Sequence, residues 1–305
     1  MKKNNILFFL CLCSAMGAAA QNWPEVKPEA RPGSRWWWLG SAVDKDNLNY
    51  NLKEYGKAGL GSLEVTPIYG VKGNESHNLC FLSPEWMEMF RYTQEVGKTN
   101  GIDIDMNTGT GWPFGGPEVS LSQAAAKAIF ECYEVKGGEP VKLEINIHDP
   151  KEQKQRDVAY LDCLMAYGTD GKVVNLTKKV KDGYLQWDAP AGDWQLVALF
   201  VGRTFQKVKR AAPGGEGYVM DHFSPVSVKS YFEKFDKAFK TNKVNFPRTF
   251  FNDSYEVYGA DWTPAFLKEF AARRGYRLEN HFPEFISQER TELTRRLVSD
   301  YRETL

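Results

Sequence analysis

Apolar positions along the chain fall into two rhythms. Val43, Leu48, Leu52 and Tyr55 recur at close to the helical period until Gly59 and Gly61 end the run. Ser83 followed by Pro84 reads as a helix cap and first turn, leading through Trp86, Met89, Phe90 and Val96 to Gly101. Between and around these helices lie short β-prone runs over 34–39, 62–66 and 102–107. Strand, helix, strand, helix, strand is the order of parallel βα units.

From about 127 to 206 the period shortens to two. Val141, Leu143, Ile145 and Ile147 alternate with polar residues, as do the runs around Leu164 and Leu196, and Gly137-Gly138, Asp170-Gly171 and Asp182-Gly183 supply hairpin turns between them. Helical spacing then returns at Val228, Tyr231, Phe232, Phe235 and Phe239, followed by a fourth expected strand over 248–254 and a helix from Thr263-Pro264 to Gly275. The stretch 287–305 is charged and helix-prone. This pattern predicts an α/β fold class: the first half of a (β/α)8, TIM-type barrel interrupted by an inserted antiparallel β domain. The expected domains are 21–126 for the first part of the barrel, 127–206 for the insert and 207–305 for the barrel's continuation. Four α/β strands are half of what a closed barrel needs, so the chain is expected to be a piece of a longer protein.

Residues 1–20 change the picture of where the protein acts. Lys2 and Lys3, an apolar stretch over 6–16 and Ala18-Ala19-Ala20 read as a secretory signal peptide, which implies a secreted or periplasmic location. The apolar run is shorter than the roughly 20 residues of a membrane span, and no transmembrane segment is expected. Beyond the leader three cysteines remain, an odd number that leaves at least one unpaired within the chain. Basic and acidic residues balance at 39 each, so nucleic acid is not an expected partner. Nine tryptophans and an aromatic content of 14% suit stacking on sugar rings as well as core packing.

In a barrel the chemistry sits at the C-terminal ends of the strands. Those ends carry Trp37-Trp38, Thr66 to Gly70, Asn107 to Gly116 and Asn252 to Glu256, an aromatic floor edged by hydrogen-bonding groups. The glycine-rich loop 109–116 lacks the Gly-Lys-Ser/Thr of a phosphate cradle and reads instead as a close backbone approach or an aromatic-rich turn. Asp103 and Asp105 share a strand face with Asn107; a structural pairing with Arg or Lys is expected for Asp103, while Asn107, nearer the rim, is the better ligand contact. Glycoside cleavage needs a proton donor for the leaving oxygen and a second carboxylate. Glu256, beside Asp253 and Tyr255, is the candidate donor, against the plainer role of a salt-bridged loop carboxylate. Asp221 and His222 make a second polar cluster, with helix capping as the plainer role of His222.

Seven stretches in one order resemble glycoside hydrolase family 106, the α-L-rhamnosidases: Arg35-Trp36-Trp37-Trp38, Ala58 to Glu64 running into Pro67-Ile68-Tyr69-Gly70, Asn107 to Pro113, Gly217 to Asp221, Asn252-Asp253-Ser254-Tyr255-Glu256, Trp262-Thr263-Pro264 and Arg273-Arg274-Gly275-Tyr276. The resemblance implies an inverting exo-hydrolase that removes terminal α-L-rhamnose, often from pectic polysaccharide, with calcium (Ca2+) at the active site on ligands it does not identify. Carried over, it makes Glu256 the general acid and places Asp253, Asn107, Trp112 and Asp221 around the sugar, with Trp37 and His222 as further contacts. The opposing carboxylate is expected beyond residue 305, and the chain alone is expected to be poorly soluble and inactive. Two other readings remain: a barrel glycosidase for a different sugar, and a non-catalytic carbohydrate-binding protein.

Overall fold

The structure, a computed structural model, describes residues 24–305; the expected leader over 1–20 lies outside the described residues. The chain opens with strand β1 (Gly33–Leu39), helix α1 (Lys45–Lys57), β2 (Ser62–Ile68), α2 (Pro84–Thr99) and β3 (Asp103–Asn107). Side chains cap both helices: the Asp44 carboxylate accepts from the Asn47 amide at 2.9 Å, and, as the sequence announces, the Ser83 hydroxyl accepts from the Trp86 amide at 3.2 Å with Pro84 in the first turn. After a two-residue strand β4 (Gly115–Gly116) come eight further strands: β5 (Ala126–Gly137), β6 (Pro140–Glu144), β7 (Tyr160–Gly168), β8 (Val173–Asn175), β9 (Val180–Lys181), β10 (Tyr184–Asp188), β11 (Gly192–Arg203) and β12 (Tyr218–Val219). Helix α3 (Pro225–Asn242), strand β13 (Phe250–Phe251) and helices α4 (Phe266–Arg274), α5 (Phe282–Ile286) and α6 (Glu292–Thr304) complete it.

One sheet is wholly parallel, in the order β1-β2-β3-β13. Its even positions on β1 and odd positions on β2 point one way, so Trp38, Leu63, Val65, Ile104 and Met106 pack against Leu48, Trp86, Phe90, Phe235 and Phe239 from the helices. The other face carries Arg35, Trp37, Glu64, Thr66, Asp105 and Asn107 by the same alternation. The sheet is open; no closed barrel is present among the described residues.

The fourth strand is shorter than expected. Only Phe250 and Phe251 pair with β3, against Met106 and Asn107, and the polar residues that follow leave the ladder for a loop. Arg248 anchors the strand's entry: its guanidinium grips Asp105 at 2.6 and 3.0 Å and reaches Asp103 at 3.2 Å, the structural pairing expected for that strand face.

The stretch 127–206 forms two antiparallel sheets, β5-β11-β7-β8 and β6-β10-β9, packed face to face around Leu164, Leu196, Ala198, Leu185, Trp187 and Ile145. The larger sheet is covered on its other face too. Val197, Leu199, Val201, Cys163 and Met165 meet Trp262, Phe266, Phe270, Phe282 and Leu297 from the C-terminal helices. That double burial explains why β11 reads as an unbroken apolar run from Leu196 to Val201. Helices α4 to α6 therefore lie on the β domain and not on the parallel sheet. No helix among the described residues is long and apolar enough to cross a membrane.

Candidate active site

The polar face of the parallel sheet gathers its functional groups around one cation. The Arg35 guanidinium donates to the Asp253 carboxylate at 2.6 Å and lies 3.2 Å from that of Glu64, while the Thr66 hydroxyl donates to the same Glu64 oxygen at 2.9 Å. The rings of Trp37 and Phe251 flank the guanidinium, with centroids 5.2 and 5.1 Å away. Burial raises the Glu64 pKa, against the hydrogen bond from Thr66 and the charge of Arg35, which lower it. Its three charged members are partly open to solvent, so the network holds side chains in place more than it stabilises the fold.

At the ends of the strands, Trp37 and Trp112 lie 6.3 Å apart between centroids, one exposed and one half-buried. Asn107 is buried, and its side-chain nitrogen has no partner among the described residues. The loop 109–116 owes its glycines to the protein's own backbone. Gly111 has φ +56°, and a Cβ there would collide with the carbonyl of Lys209; one at Gly109 would lie 2.6 Å from the Tyr231 hydroxyl. That buried hydroxyl donates to the Thr108 carbonyl at 2.7 Å, which ties the loop to α3.

Asp253 and Glu256 leave the sheet on the same loop. Glu256 is exposed, and its backbone carbonyl accepts from the Gln206 side-chain amide at 2.8 Å; the Gln206 oxygen accepts from the Tyr258 amide at 2.8 Å. Its neighbours Tyr255 and Val257 line a cavity of about 530 Å³ together with His222, Phe223, Ala260 and Leu305. His222 stacks near Phe223 and Tyr255, at 4.1 and 5.2 Å between centroids; burial lowers its pKa, and its Nδ1 has no partner among the described residues.

Asp221 stands apart from this group. It is only 1% exposed, with one carboxylate oxygen taken by the Thr263 hydroxyl at 2.8 Å and the other by the Phe223 amide at 3.0 Å. Burial raises its pKa. It serves the seam between the parallel sheet, the β domain and the C-terminal helices, and as placed it does not face an open pocket. A second cleft, of about 480 Å³, lies between Trp194, Lys172, His281 and Glu284, and none of the sequence-predicted site residues lines it.

The structure thus brings Trp37, Trp112, Asn107 and Asp253 to one rim, with His222 and Glu256 on or beside the adjoining loop. Sequence reasoning gave no individual role to Arg35, Glu64, Thr66 or Gln206, although Thr66 stands among the strand-end groups it named. The first three were within reach of the period-two rule, which puts them on the same face as Asp105 and Asn107.

The family model described as alpha-L-rhamnosidase, that of glycoside hydrolase family 106, matches residues 24–171 and 164–305. The chain belongs to glycoside hydrolase family 106. A curated protein of Formosa agariphila named putative beta-glucuronidase is 26% identical over 321 residues, spanning 91% of this chain and 27% of that protein. The solved structure of a rhamnosidase from Novosphingobium sp. PP1Y superposes with a TM-score of 0.72 at 16% identity, covering 92% of this chain and 44% of that one. The chain therefore spans about a quarter of the length of the Formosa protein and less than half of that of the Novosphingobium one.

Proposed function

We propose that this chain carries the proton-donating half of an exo-acting, inverting α-L-rhamnosidase, within the first half of a (β/α)8 barrel, and that the whole protein is secreted or periplasmic and trims terminal rhamnose from pectic glycans. What carries the proposal is Arg35, held between Trp37 and Phe251 and joined to both Glu64 and Asp253 on the polar face of the sheet. A flat apolar surface edged by fixed polar groups suits a sugar, whose C–H face stacks while its hydroxyls need directional partners. Asp253, fixed by Arg35, and Asn107, with a free buried donor, would orient the ring; Trp37 and Trp112 would stack on it.

Glu256 would act as the general acid. Protonating the departing glycosidic oxygen lets the C–O bond break through an oxocarbenium-like transition state, while a water activated by a second carboxylate attacks the opposite face. Only the acid is assigned to this chain. Glu64 and Asp253 are bound to Arg35 and Asp221 is buried, so the base would come from elsewhere in the whole protein. Calcium, which the family resemblance implies, asks for six to eight oxygen ligands. No group of three or more Asp, Glu, His or Cys residues converges among the described residues, and the rim carboxylates already share a guanidinium. The donor set as it stands does not fit the ion, and no step runs through it.

Glu256→Gln in the full-length protein tests the assignment. Rhamnose release from substrates with poor leaving groups should fall by about 10²- to 10⁴-fold, and much less from activated aryl rhamnosides; unchanged turnover on both overturns it. The name of the Formosa relative favours a second reading, a glucuronidase, which release of glucuronate and not rhamnose from matched aryl glycosides would establish.

A further inference from the structure

The segment that clamps the Glu256 loop also carries an unused charge. After Gln206 the chain bridges Lys207 to Tyr218 and Lys209 to Trp112 and then turns at Arg210 (φ +59°), whose carbonyl accepts from the Tyr69 amide at 3.0 Å. Three cations follow in four residues, all exposed: Lys207, Lys209 and Arg210. Each head group rests on a tyrosine face, at 5.7 Å from Tyr218, 4.7 Å from Tyr258 and 5.2 Å from Tyr69 respectively. None lies within ion-pair distance of a carboxylate among the described residues. The carboxylates nearby are otherwise engaged or belong to the proposed acid: Asp253 is bound by Arg35, Glu216 accepts from the Gly214 amide at 3.0 Å, and Glu256 sits on the clamped loop.

Position gives these cations a meaning. Tyr69 follows β2, Trp112 follows β3 and Tyr258 follows β13, so the ledge runs along the rim where the strands end. Lys209 stands on Tyr258, two residues beyond Glu256. A general acid delivers its proton to the oxygen of the leaving group; on its loop Asp253, proposed to orient the sugar being removed, precedes Glu256 and Tyr258 follows it, so a cation seated on Tyr258 is assigned to the side of what departs. Cations held against aromatic faces, with no internal partner, are set to meet an anion from outside, and the planar fork of Arg210 matches a carboxylate or sulfate.

We infer that Lys207, Lys209 and Arg210 form a subsite for an anionic sugar on the leaving-group side of Glu256. The ligand chemistry is a sugar bearing a carboxylate, as in a uronic acid, or a sulfate ester. The placement rests on the acid role proposed for Glu256; the anion preference does not.

Calorimetric binding to the full-length protein tests it with three probes: a rhamnosyl-uronate oligosaccharide, its carboxyl-reduced form, and that reduced form carrying a sulfate ester on the same residue. The acid probe should bind about tenfold more tightly than the reduced one, the size expected of one or two charge-assisted hydrogen bonds at an exposed site. The preference should fade as salt rises. In the triple variant Lys207→Gln, Lys209→Gln, Arg210→Gln it should vanish, with the reduced probe still bound. Preference for the carboxylate or for the sulfate identifies the source of the anion. Equal affinities in the unsubstituted protein, absence of all binding, or a variant that keeps the preference would overturn the subsite; should the variant not fold, the probe ratio and its salt dependence in the unsubstituted protein decide. The ratio needs no turnover, so it is also read in Glu256→Gln. An active Glu256→Gln protein with the preference intact removes the acid role and the leaving-group placement but leaves the anion site standing.

Discussion

At the scale of single residues, Arg35 decides the shape of the rim, because from β1 it bonds both Glu64 on β2 and Asp253 on the loop after β13. Its pairs are too exposed to matter much for stability, but a guanidinium that fixes two carboxylates at once sets their geometry. In the full-length protein Arg35→Ala should therefore lower kcat for rhamnoside cleavage by about 10²-fold, the cost of an ångström-scale misplacement. Arg35→Lys should recover only part of it, since an ammonium cannot fork between Glu64 and Asp253. A melting temperature within a few degrees of the unsubstituted protein would separate positioning from folding, and full activity in Arg35→Ala would remove the role. Asp221 makes the opposite case, a buried carboxylate whose work is structural. Because burial raises its folded pKa, the folded state holds more protons than the unfolded one between the ordinary 3.8 and that raised value. This contribution to stability is present at the acidic end of that window and lost as pH climbs through it. Asp221→Asn removes the titration, so the variant's deficit in melting temperature should be largest at low pH and narrow as pH rises; a gap that does not vary with pH would show that Asp221 titrates as it does in the unfolded chain.

Among the elements, those with a local cause were legible in the sequence. Ser83 starts the second helix where its side chain said it would, and β1, β2 and β3 fall where the apolar runs put them. Strand β13 was overestimated because its length is set by a partner: pairing with Met106 and Asn107 covers two residues, and Asn252 and Asp253, which follow, make their side-chain bonds outside the ladder. Trp37, Trp112, Asn107 and Asp253 were legible as rim residues because strand ends are visible in sequence. The Arg35 bridge and the Gln206 clamp were not, since each joins residues 29 to 218 positions apart through a fold that no local pattern encodes. The loop 109–116 shows the same division. Its glycines were visible, but what comes close to them, the Lys209 backbone, was not. Gly111→Ala combines a left-handed φ with a collision against backbone, so it should cost about 1–3 kcal/mol in stability and disturb the bridge between Trp112 and Lys209. Denaturant unfolding measures the first effect, and the Trp112 fluorescence environment reports the second; an unchanged midpoint would mean that the segment carrying the three cations yields freely.

For the whole molecule, the decisive feature is that the β domain is not an appendage. Its entry and exit are neighbours, with Ala126 opposite Arg203 in the β5–β11 ladder, so a short linker could close the gap if it were cut out. An independent insert would then leave the rest intact. Here the outer face of the larger sheet is instead the floor for α4 to α6, and its loss would uncover Trp262, Phe266, Phe270, Leu278, Phe282 and Leu297, all buried. At about 1.5–3 kcal/mol for each large apolar side chain returned to water, no domain of ordinary stability survives the exchange. The seam adds to this. Arg203 donates to the Ala124 carbonyl at 3.1 Å, its own backbone amide and carbonyl are paired with Gln155, and Asp261 accepts from the Ala128 amide at 2.9 Å, so polar groups on both sides would be stranded together. Excision of 127–202 from the full-length protein should accordingly give a product that binds a hydrophobic dye and lacks a cooperative melt, with α4 to α6 the first segments to exchange amide hydrogens. A soluble product with a sharp transition would show that these helices find another surface, and the natural candidate would then be the open polar face of the parallel sheet on which the proposed site stands.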